Sequence, residues 1–392
     1  MSPFLSIGIY CLMVALAFYM TDYCLRKWKR TAERAGRIRK YWLVPGLLLS
    51  LTPIAGAMLP DHPAKFAIQA AGNVWLGLFL YYGLLLLVLL GLTLPLKRAS
   101  WRPGAALCLA LVSALALWGY GLVHAQNTRV ITYDLAVDKP AGETKEMKVV
   151  LLGDLHLSVN SRLATTERMV ELINAEQPDV VVIAGDIFTS SYRGLSHPER
   201  YAEALRGIQT KYGVYAVYGN HDVEETLFGG FPISPISQAF RTREMEQFMD
   251  DCGFITLTDE VVRLGDAVQL AGRIDGEKAG DGTTNRLSPE ELLKDVDTSL
   301  PVLVLEHEPI EFQALKAAGA DVALCGHTHA GQMFPGNLVI PFFNENAWGY
   351  KRLHDLDTYV TAGVGYYGPP MRVGTDSEIT VINMTFEGGE CQ

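Results

Sequence analysis

The chain has 392 residues, 49% of them hydrophobic and only 19% charged, with a formal net charge of −10. Soluble domains carry about a quarter charged residues, so this composition excludes a disordered chain, and its acidity excludes a basic nucleic-acid-binding protein. The average conceals two halves: residues 1–128 hold twelve Lys and Arg against three Asp and Glu, a net +9, whereas the remainder holds 21 against 40, a net −19.

Four apolar runs fill the first half: Phe4–Met20, Tyr41–Leu59, Phe66–Leu96 and Ala105–His124. A bilayer core about 30 Å thick is crossed by about 20 apolar residues in a helix, whereas about 10–14 suffice for a buried helix of a soluble protein. Three runs fit the membrane length, and the third is long enough to tilt. The first is no signal peptide, because basic charge follows its apolar core instead of preceding it. That charge is Arg26, Lys27, Lys29, Arg30, Arg34, Arg37, Arg39 and Lys40; Lys97, Arg98 and Arg102 add to it between runs three and four, and Lys65 stands alone between runs two and three. Basic short loops stay cytoplasmic. Four crossings therefore predict a multi-pass anchor with the N-terminus and everything after residue 128 outside the cytoplasm. Trp118 and Tyr120 read as interfacial anchors. The runs contain no well-buried charge of the kind that marks a transport path.

Residues 129–392 alternate strand and helix. Lys148–Gly153, Val180–Ala184, Val214–Tyr218, Phe254–Leu257, Val268–Ala271, Val302–Leu305, Val322–Cys325, Tyr359–Ala362 and Glu378–Phe386 read as strands. Ala164–Glu176, Glu199–Ile208, Arg241–Asp251, Pro289–Val296 and Ile310–Ala318 read as helices, the third closed by Gly253 and the fourth capped by Ser288. The order predicts a layered α/β domain. The six cysteines have no ligand-like spacing, and Cys325 reads as core.

Five strand ends carry metal-type donors: Gly153-Asp154-Leu155-His156, Gly185-Asp186, Gly219-Asn220-His221-Asp222, Glu306-His307-Glu308 and Gly326-His327-Thr328-His329. The crevice beyond the carboxyl ends of the strands is where open α/β sheets bind ligands, and carboxylate, imidazole and amide donors suit divalent ions. Asp-x-His and His-x-His put alternate side chains on one face of an extended backbone. Each motif alone reads as a turn or surface element; five in series at strand ends do not.

The series resembles the calcineurin-like metallophosphoesterase superfamily, with D-x-H, GD, GNH[DE], H and GH-x-H in order over about Lys148 to Phe386. GHTHAGQ at Gly326–Gln332 and GVGYYGPPMR at Gly363–Arg372 are similar to the bacterial membrane-associated YkuE-type branch. The resemblance implies a four-layer α-β-β-α sandwich behind the four-helix transmembrane region. It implies two divalent metal ions (Mn, Fe, Zn or similar), one held by Asp154, His156, Asp186 and His329, the other by Asp186, Asn220, His307 and His327, with Asp186 bridging. Metal-bound hydroxide would attack phosphorus. His221 is then the general acid, with Asp222 beside it raising its pKa or serving as a turn residue. Arg372 either holds a phosphate oxygen or closes the fold through salt bridges.

The expected function is a membrane-anchored phosphoester hydrolase whose partners are a phosphoester substrate, lipid-linked or envelope-associated, and the bilayer, with no nucleic acid and no protein partner. Two alternatives stand beside it: a UDP-2,3-diacylglucosamine-type pyrophosphatase of lipid A synthesis, if the domain is cytoplasmic, and a non-catalytic metal-binding scaffold. Leu227–Phe240, LFGGFPISPISQAF, is uncharged and follows the Gly-Asn-His-Asp turn. It reads either as a loop packed on its own domain or as an apolar lip for lipid.

Overall fold

The computed structural model describes residues 3–27, 41, 43–59, 61–93, 102–228, 231–266 and 268–386. Most of the basic loop residues, Lys29–Lys40 and Lys97–Arg98, lie outside them, as does Cys391. The chain divides into two compact units. The first comprises Met1–His124, Thr226–Ser234 and Gly368–Met371; the second comprises Ala125–Glu225, Pro235–Tyr367 and Arg372–Gln392. The expected division after residue 128 falls just inside the first strand of the second unit.

In the first unit, α1 (Pro3–Lys27), α4 (Pro63–Leu92) and α5 (Arg102–His124) contain the spans long and apolar enough to cross a membrane. The second apolar run forms α2 (residues 43–50) and α3 (Thr52–Met58), separated by a turn at Leu51. Pro53 sits in the first turn of α3; its ring removes one backbone donor and crowds the preceding turn. Polar groups inside this unit find partners. Thr21 Oγ1 and Tyr82 Oη lie 2.6 Å apart, Tyr10 Oη donates to the Ser50 carbonyl at 2.7 Å, and Trp118 Nε1 donates to the Val74 carbonyl at 3.0 Å. Trp118 thus spends its polar end inside the bundle. Two short strands, β5 (Leu227–Phe228) and β6 (Phe231–Pro232), pair as an antiparallel hairpin. Ile233 after them packs in one cluster with Tyr10, Leu76, Met13, Val14 and Leu80. The segment singled out as a lip therefore starts among the membrane-type helices; the side chains of Phe228 and Phe231 lie outside the described residues.

The second unit has two six-stranded sheets. The first runs in the order β1 (Thr128–Val137), β14 (Ser377–Phe386), β2 (Glu146–Leu152), β3 (Val180–Ala184), β4 (Val214–Val217), β7 (Ile255–Thr256). The second runs β12 (Gly349–Leu353), β13 (Leu356–Val360), β11 (Val322–Cys325), β10 (Val302–Leu305), β9 (Val268–Gly272), β8 (Glu260–Leu264). The inner parallel strands, VVVIA, VLVL and VALC, are buried along their whole length, as continuous β-branched and Leu runs dictate.

Alternating side chains sort into cores. Val149, Leu151, Val182 and Val217 of one sheet share a cluster with Leu270, Leu303, Leu305 and Leu324 of the other. The opposite faces carry Val150, Leu152 and Ile183 packed with Met169, Ile173, Leu205 and Phe248, and Val302, Val304, Ala323 and Cys325 packed with Leu292, Phe312 and Leu315. The partner residues come from α6 (Leu163–Glu176), α7 (Pro198–Arg206), α8 (Arg243–Cys252), α9 (Pro289–Leu293) and α10 (Phe312–Ala317). Thr242 caps α8 and Gly253 closes it at φ 75°; Ser288 and Glu291 form a capping box on α9.

Candidate metal centre

The donors stand where the parallel strands end. β2 delivers Asp154 and His156, β3 Asp186, β4 Asn220 and His221, β10 His307, and β11 His327 and His329. The backbone at these ends is not extended: Asp154, His156, Asp186, His327 and His329 all have φ between 46° and 75°. Asp and His tolerate this left-handed region better than most residues, yet it still costs about 1–3 kcal/mol per residue. Alternation along a strand therefore does not bring the donors together; a tight reversal at each strand end does. Small neighbours make room for it. A Cβ on Gly326 would stand 2.9 Å from an Asp154 oxygen, and one on Gly219 would stand 2.6 Å from the Asp186 nitrogen.

The side chains converge on one carboxylate. Asp186 Oδ2 lies 3.5 Å from His156 Nε2 and 3.3 Å from His307 Nε2. On one side, His156 Nε2 is 2.9 Å from His329 Nε2, which is 3.5 Å from Asp154 Oδ1. On the other, His307 Nε2 is 3.0 Å from Asn220 Oδ1 and 3.2 Å from His327 Nδ1. Two sets of donor atoms are close enough to share an ion: Asp154, His156 and His329, and Asp154, Asp186 and His307. All seven expected ligand residues are thus in one place, although Asp154 joins the second set as well as the first.

Asp154, His156, Asp186 and His307 are buried to within 1%. Burial pushes Asp154 up to about 7 and pushes His156 and His327 down to about 3. Asp186 and His307 shift the other way despite their burial, Asp186 down and His307 up, because each faces the other. Neutral imidazoles at His156 and His327 beside buried carboxylates are donors that a divalent cation would satisfy.

His221 stands at the rim, held from three sides. Its Nδ1 is 2.9 Å from Ser190 Oγ and 3.3 Å from Glu225 Oε1, and its ring stacks on Tyr367 with centroids 4.4 Å apart. Ser190 Oγ donates to Glu225 at 2.7 Å, and Lys278 Nζ reaches both Glu225 oxygens at 2.8 Å. Asp222 is employed elsewhere. One of its oxygens accepts from Phe188 N and the other from Gly219 N, each at 2.8 Å, tying the Asn220 loop to the Asp186 loop. The carboxylate on His221 is Glu225, four residues on. Ser190, Glu225, Lys278 and Tyr367 come from separate loops, and no local pattern in the sequence marks them as a group.

Arg372 is fully buried and donates to the carbonyls of Ala362, Gly363, Gly365 and His329. It closes the fold through backbone carbonyls. His197 and His354 lie toward the surface on Glu199 and Glu345. Cys325 is core.

A family described as Calcineurin-like phosphoesterase matches residues 147–331. A "Transmembrane protein with metallophosphoesterase domain" from Danio rerio is 31% identical over 289 residues, covering 70% of this chain and 61% of that protein. A protein of the same description from Bos taurus is 29% identical over 349 residues, covering 82% of this chain and 74% of that one. An "Uncharacterized metallophosphoesterase" from Aquifex aeolicus is 28% identical over 279 residues, covering 70% of this chain and 98% of that one. The matched region thus spans about three fifths of the Danio rerio relative's length.

Proposed function

Residues 147–331 belong to the calcineurin-like phosphoesterase family, and from that premise we propose that the chain is a membrane-anchored phosphoester hydrolase with a dinuclear metal centre. The observation that carries this reading is the position of Asp186 Oδ2 between His156 Nε2 and His307 Nε2, 3.5 and 3.3 Å away. One carboxylate flanked by two donor sets is what a pair of ions needs. Asp154, His156, Asp186 and His329 would hold one ion; Asp186, Asn220, His307 and His327 the other. When bound, the ions supply Lewis acidity that polarises a phosphoryl oxygen and brings the pKa of water near neutrality.

The chain's own residues do the rest. Burial of the donors excludes bulk water and strengthens electrostatic attraction to a phosphate. His307 Nδ1 donates to the Ala184 carbonyl at 2.7 Å, which holds the other nitrogen as the lone-pair side. His221 is the general acid. Ser190 and Glu225 hold its Nδ1, the Tyr367 ring fixes its plane, and the free Nε2 carries the proton to the leaving oxygen. Despite burial, the hydrogen bond to His221 and the Lys278 ammonium hold Glu225 below the usual carboxylate range and in place.

We read the three shared cores as the four-layer α-β-β-α sandwich that the resemblance implies. The split second apolar run is the remaining crossing of a four-helix anchor. With eleven basic residues in the two loops assigned to the cytoplasm and one in the other, the hydrolase domain faces away from the cytoplasm. A chain tied to the bilayer in this way favours a lipid-linked or envelope phosphoester, and GHTHAGQ supports the narrower likeness to the YkuE-type branch. The test is the full chain in detergent, stripped of metal and reloaded with Mn, Fe or Zn. Two ions per chain and metal-dependent hydrolysis of a chromogenic phosphodiester are expected. A stably folded, metal-loaded chain that cleaves no phosphoester would return it to the scaffold class.

A further inference from the structure

The second unit carries an apolar surface that neither the sheets nor the metal centre uses. Five residues after His329 begins Phe334-Pro335-Gly336-Asn337-Leu338-Val339-Ile340-Pro341-Phe342-Phe343, a stretch with no charged residue. Its middle forms α11 (Gly336–Val339), followed by a single turn of 3₁₀ helix at Ile340–Phe342. Phe342 is 85% exposed, Phe343 79% and Leu338 58%, with Phe334 and Val339 also exposed. Trp348 and Tyr350, five and seven residues on, are also exposed, with their polar ends tied down: Trp348 Nε1 donates to Glu378 at 2.7 Å and Tyr350 Oη to Asp357 at 2.8 Å. Mainly ring carbon faces out. The segment is pinned at its base, where Phe334 N donates to the Val373 carbonyl at 2.8 Å.

Contiguous exposed apolar surface marks an interaction site. The occupant follows from the rest of the chain. α1, α4 and α5 are built to cross a bilayer, and only residues 125–127 separate the end of α5 from β1. Three residues span at most about 10 Å, so the domain starts within that distance of a membrane-type helix. Phenylalanines at the tip with Trp and Tyr behind them is the composition of a segment lying in the interface between headgroups and acyl chains.

We propose that residues 334–343, backed by Trp348 and Tyr350, dip into the lipid interface and seat the hydrolase on the bilayer surface, where it takes phosphate carried by a lipid. The choice of a lipid phosphate rests on the hydrolase reading above; the insertion itself does not.

The test uses the full chain in phosphatidylcholine vesicles, in a cysteine-free background with Phe343→Cys carrying a nitroxide. Oxygen, which partitions into lipid, should reach the label better than an aqueous nickel complex does. The reverse order overturns the proposal. Shielding from both reagents that grows with protein density also overturns it, and assigns the face to a second copy. In the kinetic arm, Phe342→Ser with Phe343→Ser should slow hydrolysis of a long-chain phosphatidate in vesicles by roughly tenfold and leave bis-nitrophenyl phosphate unaffected. Equal effects on both substrates count against it. If the metal-loaded wild type cleaves neither substrate, the hydrolase reading fails, and the label still decides insertion.

Discussion

His307 Nδ1 lies 2.7 Å from the carbonyl oxygen of Ala184, the last residue of β3. A carbonyl only accepts, so the imidazole donates there, and its Nε2 is left toward Asp186 and Asn220. One backbone bond between two sheets thus sets which nitrogen of a candidate ligand faces the site.

In the proposed two-ion site Asp186 is the shared ligand, its Oδ2 3.5 Å from His156 Nε2 and 3.3 Å from His307 Nε2, so Asp186→Asn should remove most bound metal. Loss of a partner outside the donor set typically costs about 10–100-fold in affinity or activity; loss of a shared ligand should exceed that. Metal analysis by mass spectrometry and phosphodiesterase rate check this together. Full metal content in the variant would contradict the bridging role.

His221→Ala should keep both ions. Its rate should fall about 10²–10⁴-fold on substrates with poor leaving groups and much less on a nitrophenyl ester, whose leaving oxygen needs little protonation. A loss that is uniform across leaving groups would remove His221 from proton transfer.

Gly219→Ala tests the tight approach of β4 to the metal centre. The new methyl would meet the Asp186 carboxylate and backbone and, at 2.8 Å, His307 Nδ1. Overpacking of this kind costs about 1–3 kcal/mol, and here the shift falls on the donors, so metal content should drop with stability. Gly253→Ala is the control. It meets nothing within 4 Å but sits at φ 75°, so thermal unfolding should register backbone strain with metal content unchanged.

Arg372→Met should lower the melting temperature sharply. Each buried carbonyl that loses its donor costs about 1–3 kcal/mol. Arg372 serves those of Ala362 and Gly365, and also those of Gly363 and His329, which accept from Glu378 N and Gln332 N as well. The surviving folded enzyme should keep its KM for a soluble phosphoester. A raised KM without loss of stability would instead place Arg372 on the substrate.

With the proposed orientation, basic loops on the cytoplasmic side, a C-terminal alkaline phosphatase fusion should be active and a C-terminal green fluorescent fusion dark. The opposite pattern would put the domain in the cytoplasm and revive the pyrophosphatase reading.

The donor-bearing strand ends were legible because fully buried parallel strands are short runs of small and branched apolar residues; four of the five are followed by a glycine with a ligand type next to it, and β10 runs straight into Glu306-His307. β1, β8 and β12 were not read as strands. They are edge strands whose partly exposed faces dilute the hydrophobic signal, and β1 follows a membrane helix so closely that it reads as a linker. The break in the second apolar run has a local cause, Pro53, which a hydropathy count passes over. The support around His221 was illegible for the opposite reason. Ser190, Glu225, Lys278 and Tyr367 are ordinary surface residue types in their own segments, and only the fold makes them neighbours. Asp222 drew attention by adjacency in sequence, whereas its carboxylate ties down two loops.

The position of β14 bears on how the chain can be made. This last described strand lies between β1 and β2, pairing with β1 from Thr128↔Ser377 to Val137↔Phe386 and with β2 through Leu151↔Thr380. Until residues 377–386 have left the ribosome, β1 and β2 present unpaired edges, and edges of that kind recruit other chains. The domain therefore completes its first sheet only after residues 377–386 have emerged, long after β1 and β2. A truncation ahead of Ser377 should yield aggregates even though every donor to the metal centre is present.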